Sequence, residues 1–225
     1  MDQLIIGDKA SFDDFAASVA TRKIKMPKKK SIRETVPFSN VTYDFSAING
    51  ETYWEDRELE YVFELTADDP EELEELKTKF AAWVMSVQGQ ELHDPYIPDY
   101  HFLATYDDMD PVDDEGLDKC TITVKFTAYP YKIANVPKVY EVILKSGTSA
   151  TTFYACNESD HPISLTISTP VDLTVTIVDK GWEAILAGTR TCAELKLPVG
   201  RSAIEISNPR GVSFNATISF AEEVF

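Results

Sequence analysis

The sequence predicts a mainly β chain, with an α+β region built around one main helix and then an all-β sandwich or jelly roll. Three observations carry that prediction. The stretch Arg57 to Gln90, RELEYVFELTADDPEELEELKTKFAAWVMSVQGQ, changes from a period of two to a period of three and four. From Val139 onward only short strand patterns occur, separated by Gly, Pro, Asn and Ser clusters. The charge divides as well: residues up to Asn135 hold 28 acids against 14 bases, and the remainder 10 against 7. A boundary near Ala134 to Pro137, marked by two prolines and a drop in acid content, predicts an N-terminal domain at 1–135 and a C-terminal sandwich at 136–225.

In chain order, Gln3 to Lys9 reads as a short strand ending at Gly7, and Phe12, Phe15 and Val19 as a brief amphipathic turn. Thr21 to Pro37 contains Pro27 and reads as an extended arm or a sheet edge. VTYDFSAINGETYWEDRELEYVFEL reads as a hairpin turning at Asn49-Gly50, because that dipeptide tolerates the positive φ a tight turn requires. In its second strand Leu59, Tyr61, Phe63 and Leu65 alternate with Glu58, Glu60, Glu64 and Thr66, so one face is buried and only Val62 breaks the polar face. In the helix that follows, Leu73, Leu76, Phe80, Trp83, Val84 and Val87 fall on one side. Asp69 is placed to cap it, Pro70 suits its first position, Glu72 is placed to reach back to the cap amide, and Gly89 to stop it.

Phe102, Ala104 and Tyr106 then alternate in a short strand, and DDMDPVDDEGLD reads as an acidic loop with Pro111 and Gly116 as breakers. Cys120 to Ala128 alternates as a second half-buried strand. VYEVILKS, ISLTIST, VDLTVTIVD, CAELKLPVG, SAIEIS and VSFNATISF supply the strands of the sandwich, and no internal repeat is found.

The formal net charge of −17 is unevenly spread. Residues 55 to 118 hold 21 acids against Arg57, Lys77 and Lys79, whereas Arg22 to Arg33 (RKIKMPKKKSIR) holds seven bases and no acid. Opposite blocks suit contacts between copies of the chain. The expected pairing sets Lys25, Lys28, Lys29, Lys30 and Arg33 against Glu71, Glu72, Glu74 and Glu75 of an adjacent subunit. The competing reading of the basic tract is a free, solvated arm. A body this acidic repels phosphate, so no specific nucleic-acid binding is expected. There is no run of about 18 apolar residues and no basic start followed by an apolar stretch, which predicts a soluble, unexported chain with no membrane partner. Cys120, Cys156 and Cys192 form no CxxC pair and read as buried free thiols.

Signals for chemistry are sparse. No GxSxG elbow, P-loop or GxGxxG occurs. Asp107, Asp108, Asp110, Asp113, Asp114 and Asp118 offer hard oxygen ligands, but Val112 and the missing glycine spoil a calcium-loop spacing, and the stretch reads as solvated. His93, His101 and His161 have neither HxxH nor HExxH spacing and no neighbouring cysteine, so no metal or cofactor is expected of them. Paired carboxylates for glycoside hydrolysis can be drawn from any sequence this acidic. Trp83 falls on the helix stripe and reads as core. Trp182, beside Gly181 in a polar loop, is the candidate glycan contact. The residues argue for a scaffold and not an enzyme.

Taken together, LIIGDKASFDDF, then YDFSAINGETYWEDRELEYVFEL with its tyrosine and arginine before the strand, one helix, and the closing TVKFTAYPYK resemble the distal tail proteins of long-tailed phages and prophages of Gram-positive bacteria. The resemblance covers the first 135 residues; the C-terminal half matches as a β-sandwich of about the right length. It implies that six N-terminal domains form a ring, single or stacked, around the tail channel, with an outward-facing galectin-like C-terminal domain. It also implies that the ring joins the tail tube to the tail-tip hub, with a receptor-binding protein as a further partner. The place it implies is the virion tail tip, after assembly in the host bacterial cytoplasm. A bore that lets DNA slide should be negative, since phosphate contacts supply most non-specific affinity for DNA. The acid excess agrees with that. The long basic tract Lys23 to Lys30 and the compact sandwich depart from the family pattern.

Two other readings compete. One is a carbohydrate-binding or receptor-binding sandwich module of a bacterial-surface or phage protein, and the other a hydrolase. A glycan-binding monomer would favour the module, and a hexamer would favour the tail adaptor.

Overall fold

A computed structural model describes residues 2–35, 38, 40, 42–46, 52–113, 118–207 and 211–225. Contacts divide the chain into two compact units, Met1–Lys132 with Phe225, and Ile133–Val224. The first unit contains β1 (Ile5–Ile6), β2 (Lys9–Ala10), α1 (Ser11–Phe15), β3 (Ala17–Ile24), β4 (Arg33–Thr35), β5 (Thr42–Asp44), β6 (Arg57–Thr66), α2 (Pro70–Met85), β7 (Gln90–His93), β8 (Tyr100–Asp113) and β9 (Lys119–Ala128). Its main sheet is antiparallel and runs β2-β1-β7-β8-β9-β6-β3.

β6 lies between β3 and β9 and pairs with β9 over its whole length, Arg57 opposite Ala128 through Thr66 opposite Lys119. The alternation in both strands puts Leu59, Tyr61, Phe63 and Leu65 beside Ile122, Val124 and Phe126 on one apolar face, all essentially solvent-free. α2 covers this face. Phe80 meets Phe63 edge-on at 5.0 Å between centroids, and Trp83 stacks on Phe15 of α1 at 4.8 Å. Leu73, Phe80, Trp83, Val84 and Val87 are buried and Leu76 is partly buried against them, as the period of the helix predicts.

The cap forms as expected at Asp69, whose carboxylate accepts from the Glu72 amide at 2.8 Å. The Glu72 carboxylate reaches back one residue further than predicted, to the amide of Asp68 at 3.2 Å. The helix ends at Met85, with Ser86 donating its hydroxyl to the Trp83 carbonyl at 2.6 Å. Gly89 does not stop the helix; with φ of 59° it shapes the turn into β7.

Two local readings are corrected. The predicted hairpin into β6 does not form: Thr42–Asp44 pairs with Arg33–Thr35, and β6 takes β3 and β9 as neighbours. A ten-residue strand with a fully buried face needs long partners on both edges, which the exposed three-residue β5 cannot supply. The Asn49-Gly50 turn lies outside the described residues. The acidic stretch is also no loop through Asp113, because β8 runs to that residue in register with β9, Pro111 opposite Ile122. Pro111 is tolerated because the ladder of β8 with β7 ends at Ala104, so that at Pro111 the partner is β9 and the other side is an edge among the described residues, where a missing N–H costs little. Gly116 and Asp114 lie outside the described residues.

A short strand, β10 (Lys132–Ala134), follows at the junction. The second unit then contains β11 (Lys138–Leu144), β12 (Ala150–Asn157), β13 (Ile163–Thr169), β14 (Leu173–Ile177), β15 (Gly181–Ile185), β16 (Gly188–Leu197), β17 (Gly200–Ser207), β18 (Phe214–Phe220) and β19 (Glu223–Val224). Two antiparallel four-stranded sheets form, ordered β11-β18-β13-β16 and β12-β17-β14-β15. Strands one, eight, three and six of the eight thus face strands two, seven, four and five, which is jelly-roll connectivity. Its core is largely aliphatic, with Leu144, Leu165, Ile167, Val175, Ile204 and Ile218 among its solvent-free members. β12 and β15 carry no clean alternation, and sequence reading missed both.

Candidate assembly surfaces

β3 and β2 close the two ends of the first sheet's order, so among the described residues neither has a second partner strand, although Val19 of β3 donates its amide to the Asp2 carbonyl at 2.9 Å. The basic tract begins on β3. The partners of its first members are within the chain: Lys23 bonds Glu60 at 3.4 Å, and Lys25 bonds Glu58 at 2.7 Å, holding the Glu58 carboxyl below its usual range. Because Lys23, Glu60 and Lys125 stand opposite one another across β3, β6 and β9, and Lys125 reaches Asp108 on β8 at 3.6 Å, an alternating row of charges crosses the outer face.

The rest of the tract is no free arm. Glu55 donates its amide to the Lys28 carbonyl and Lys30 donates to the Tyr53 carbonyl, each at 2.8 Å, with Pro27 buried beside them. Arg33 bonds Asp44 across the β4–β5 ladder at 3.3 Å. The side chains of Lys28, Lys29 and Lys30 remain exposed, and none makes an ion pair among the described residues. The pinned backbone therefore presents three unneutralised ammonium groups.

On α2 the expected acidic partners are partly engaged. Glu74 bonds Lys77 at 2.7 Å and Glu75 bonds Lys79 at 2.6 Å, both one helical turn apart. Glu72 is occupied by the Asp68 amide, and Glu71 is exposed with no ion pair among the described residues. Exposed pairs of this kind contribute only about 0–1 kcal/mol, so they leave the acids available for exchange.

Behind the sheet sits a buried polar centre that sequence reading did not identify. Asp94, 1% exposed, accepts from Arg22 Nε at 3.1 Å, from the Tyr61 hydroxyl at 3.2 Å and from the Tyr96 amide at 3.0 Å. Burial first, and the Asp94 carboxylate second, push the Tyr61 phenol far above its ordinary value, so it stays a donor. The Arg22 guanidinium also lies 3.9 Å from the centre of the Tyr96 ring. This cluster holds the turn Asp94 to Asp99, where the Ile97 amide donates to the Asp94 carbonyl. That turn sets the register of β7 on β8 and so places His93 directly opposite His101, with Glu91 on the same face. The signal in the sequence was only the pair of histidines on either side of a proline-rich turn.

Arg57, the first residue of β6, is 2% exposed, and its Nε and Nη2 have no partner among the described residues. It lies 5.5 Å from the Phe102 ring centre, and burial lowers its pKa. Trp182 is on strand β15, not in a loop, at the edge of the jelly roll's second sheet. It is 69% exposed, and across the outer face Thr176, Glu205 and Thr152 continue its row.

No family model and no curated protein matches the chain. Among solved structures, it is similar to the Dit protein of SPP1, described as a paradigm of the hub adsorption apparatus in phages infecting Gram-positive bacteria. The TM-score is 0.69 at 9% identity, with 100% of each chain covered. Chains of the phage P2 baseplate in its activated conformation, with calcium and with strontium, are similar at TM-scores of 0.48 and 0.47 and identities of 10% and 11%. They cover 99% and 98% of this chain and 98% of their own length. The fold of this chain is that of a phage distal tail protein.

Proposed function

We propose that this chain is a structural component of a phage tail, without catalysis. Six N-terminal units form a ring between the tail tube and the tail-tip hub, with the jelly rolls outside and DNA passing through an acidic bore. The observation that carries this reading is the full-length likeness to the SPP1 protein, which spans both units in one chain. Two features of the first unit support it. Its sheet ends in the edges of β2 and β3, which neighbours in a closed ring can extend or cover. Its exposed acids include Asp107, Asp108 and Asp110 on the part of β8 that runs past β7, an arm suited to a channel wall that must not hold phosphate.

Mass in solution and negative-stain images test the ring. Six chains of 25.2 kDa give a particle of about 151 kDa. A chain that remains near 25.2 kDa at high concentration overturns the ring. In the same reading the assembled protein leaves duplex DNA unretarded in a gel at low salt, and Asp107, Asp108 and Asp110 together changed to Lys create retardation.

One observation favours a second role for the same chain, receptor contact through sugar. Trp182 offers an exposed ring beside hydroxyl and carboxylate groups, the combination that grips a saccharide. Quenching of its fluorescence by host cell-wall polysaccharide, lost in Trp182→Ala, would support it; an unchanged signal excludes it.

A further inference from the structure

We propose that Glu91, His93 and His101 form a zinc site on the β7–β8 hairpin, with two imidazoles and one carboxylate as ligands and a fourth position open. One ligand atom from each lies within 4.8 Å of the other two. His93 Nε2 is 3.3 Å from Glu91 Oε2, His101 Nε2 is 3.9 Å from Glu91 Oε1, and the two rings are 5.2 Å apart at their centroids. Zinc bonds of about 2.0–2.2 Å to nitrogen and oxygen, set at tetrahedral angles, hold ligand atoms about 3.3 Å apart. The His93–Glu91 distance already matches. The His101–Glu91 distance closes with a small rotation of the glutamate, whose side chain is 60% exposed, and the two ring nitrogens, no more than 4.8 Å apart, close with a rotation of the half-exposed His93 ring.

The backbone under the three ligands is held from several sides. His93 and His101 are a directly opposed cross-strand pair, and Glu91, two residues before His93, shares their face of the pleat. β7 is held on its other edge by β1, Ile5 opposite His93, and the turn between the histidines is anchored through Asp94. His101 is only 7% exposed, so its ring has little freedom to lose on binding. On the opposite face Leu92 and Phe102 are solvent-free, which leaves the ligands a dry, rigid floor.

The donor set decides the class of ion. Calcium and magnesium require shells of oxygen, which one carboxylate does not provide, whereas imidazole with one carboxylate suits zinc and its late transition-metal neighbours. Two neutral imidazoles and a carboxylate neutralise one of the two charges, and the remaining positive charge is welcome in a chain of net −17. Such a site ties β7 to β8, and the open position takes water or one donor from another molecule. The contrast within the chain is His161, whose neighbouring carboxylate is Glu223 at 3.0 Å and which belongs to no cluster of three ligands among the described residues.

The test uses tag-free, metal-stripped full-length protein titrated with zinc chloride by calorimetry, with cobalt as a spectroscopic substitute. We expect one equivalent per chain and the intense visible absorption of four-coordinate cobalt. His93→Gln and His101→Ala should each weaken binding by at least about tenfold, while His161→Ala leaves it unchanged. Calcium chloride should neither bind with measurable heat nor displace cobalt. His93 is half-exposed, so His93→Gln keeps the test decisive if His101→Ala fails to fold; circular dichroism checks both. Absence of saturable zinc uptake by the wild-type chain overturns the site. So does uptake that persists undiminished in His93→Gln.

Discussion

The two units solve the burial problem differently. The first packs one sheet under one long helix and fills the space with rings: Phe15, Tyr61, Phe63, Phe80, Trp83 and Phe126 are all buried. The second packs two sheets on each other with an aliphatic core in which Phe214 and Phe220 are the buried rings among the described residues. The first ends its sheet in β2 and β3, neither with a second partner strand among the described residues, and carries most of the net charge; the second is near neutral. Open edges and an acid excess are liabilities in a monomer and assets in a ring, where neighbours cover the edges and the charge repels DNA. In the function proposed above, this difference would place assembly in the first unit and make the jelly roll a separate module.

The sharpest way to break that comparison is to separate the units. A fragment of residues 1–135 is expected to assemble to several times its own mass, and a fragment of residues 133–225 to fold as a monomer, both read by light scattering. The reverse outcome removes the assignment. Next in size is Trp83→Ala, which deletes the ring stacked on Phe15 and should lower the stability of the first unit by about 3–5 kcal/mol. Chemical denaturation of the full chain should show that loss in the first unit's transition and leave the jelly roll's unmoved; an unchanged first transition would mean the helix is not what holds the sheet.

A smaller effect is expected from the charged surface. Changing Lys28, Lys29 and Lys30 to Glu should lower the assembled mass, and about 1 M salt, with a Debye length of roughly 3 Å, should loosen the wild-type ring in the same way. If mass and salt response match the wild type, the three ammonium groups take no part in assembly.

The smallest effect concerns the jelly roll alone. Burial first, and Glu183 second, push the Cys192 thiol from its ordinary 9.0 up to about 11. Because the folded value is the higher one, this thiol's contribution to stability is intact below pH 9 and is lost as the pH rises toward 11. The urea midpoint of fragment 133–225 should therefore fall more between those pH values than that of its Cys192→Ala variant. Equal falls would mean that the thiol is not shielded.

Much of this fold was legible in the residues. The alternation in β6 and β9, the stripe of α2 with its Asp69 cap, and the strands β11, β13, β14, β16, β17 and β18 follow from local burial, because a period of two or of three to four fixes which side chains share a face. Periodicity does not say which strand pairs with which. The Asn49-Gly50 signal promised β6 a partner next in sequence, and the long ladders with β3 and β9 prevailed because they cover its whole buried face. Trp182 reads as a loop residue until β14 is seen beside it.

The same limit governs the candidate sites. Composition alone determined that the chain is acidic, that its bases are gathered in one tract, and that the usual catalytic motifs are missing. Only the tertiary structure decided that Lys23 and Lys25 spend their charge on Glu60 and Glu58 while Lys28, Lys29 and Lys30 do not. It also decided that His93 meets His101. Those two are eight positions apart, a spacing that on a helix would leave them about 12 Å apart, and they become neighbours because a turn anchored on a buried aspartate folds one strand back on the next. Side-chain period is a property of each segment by itself; the register between segments is set by the whole core at once.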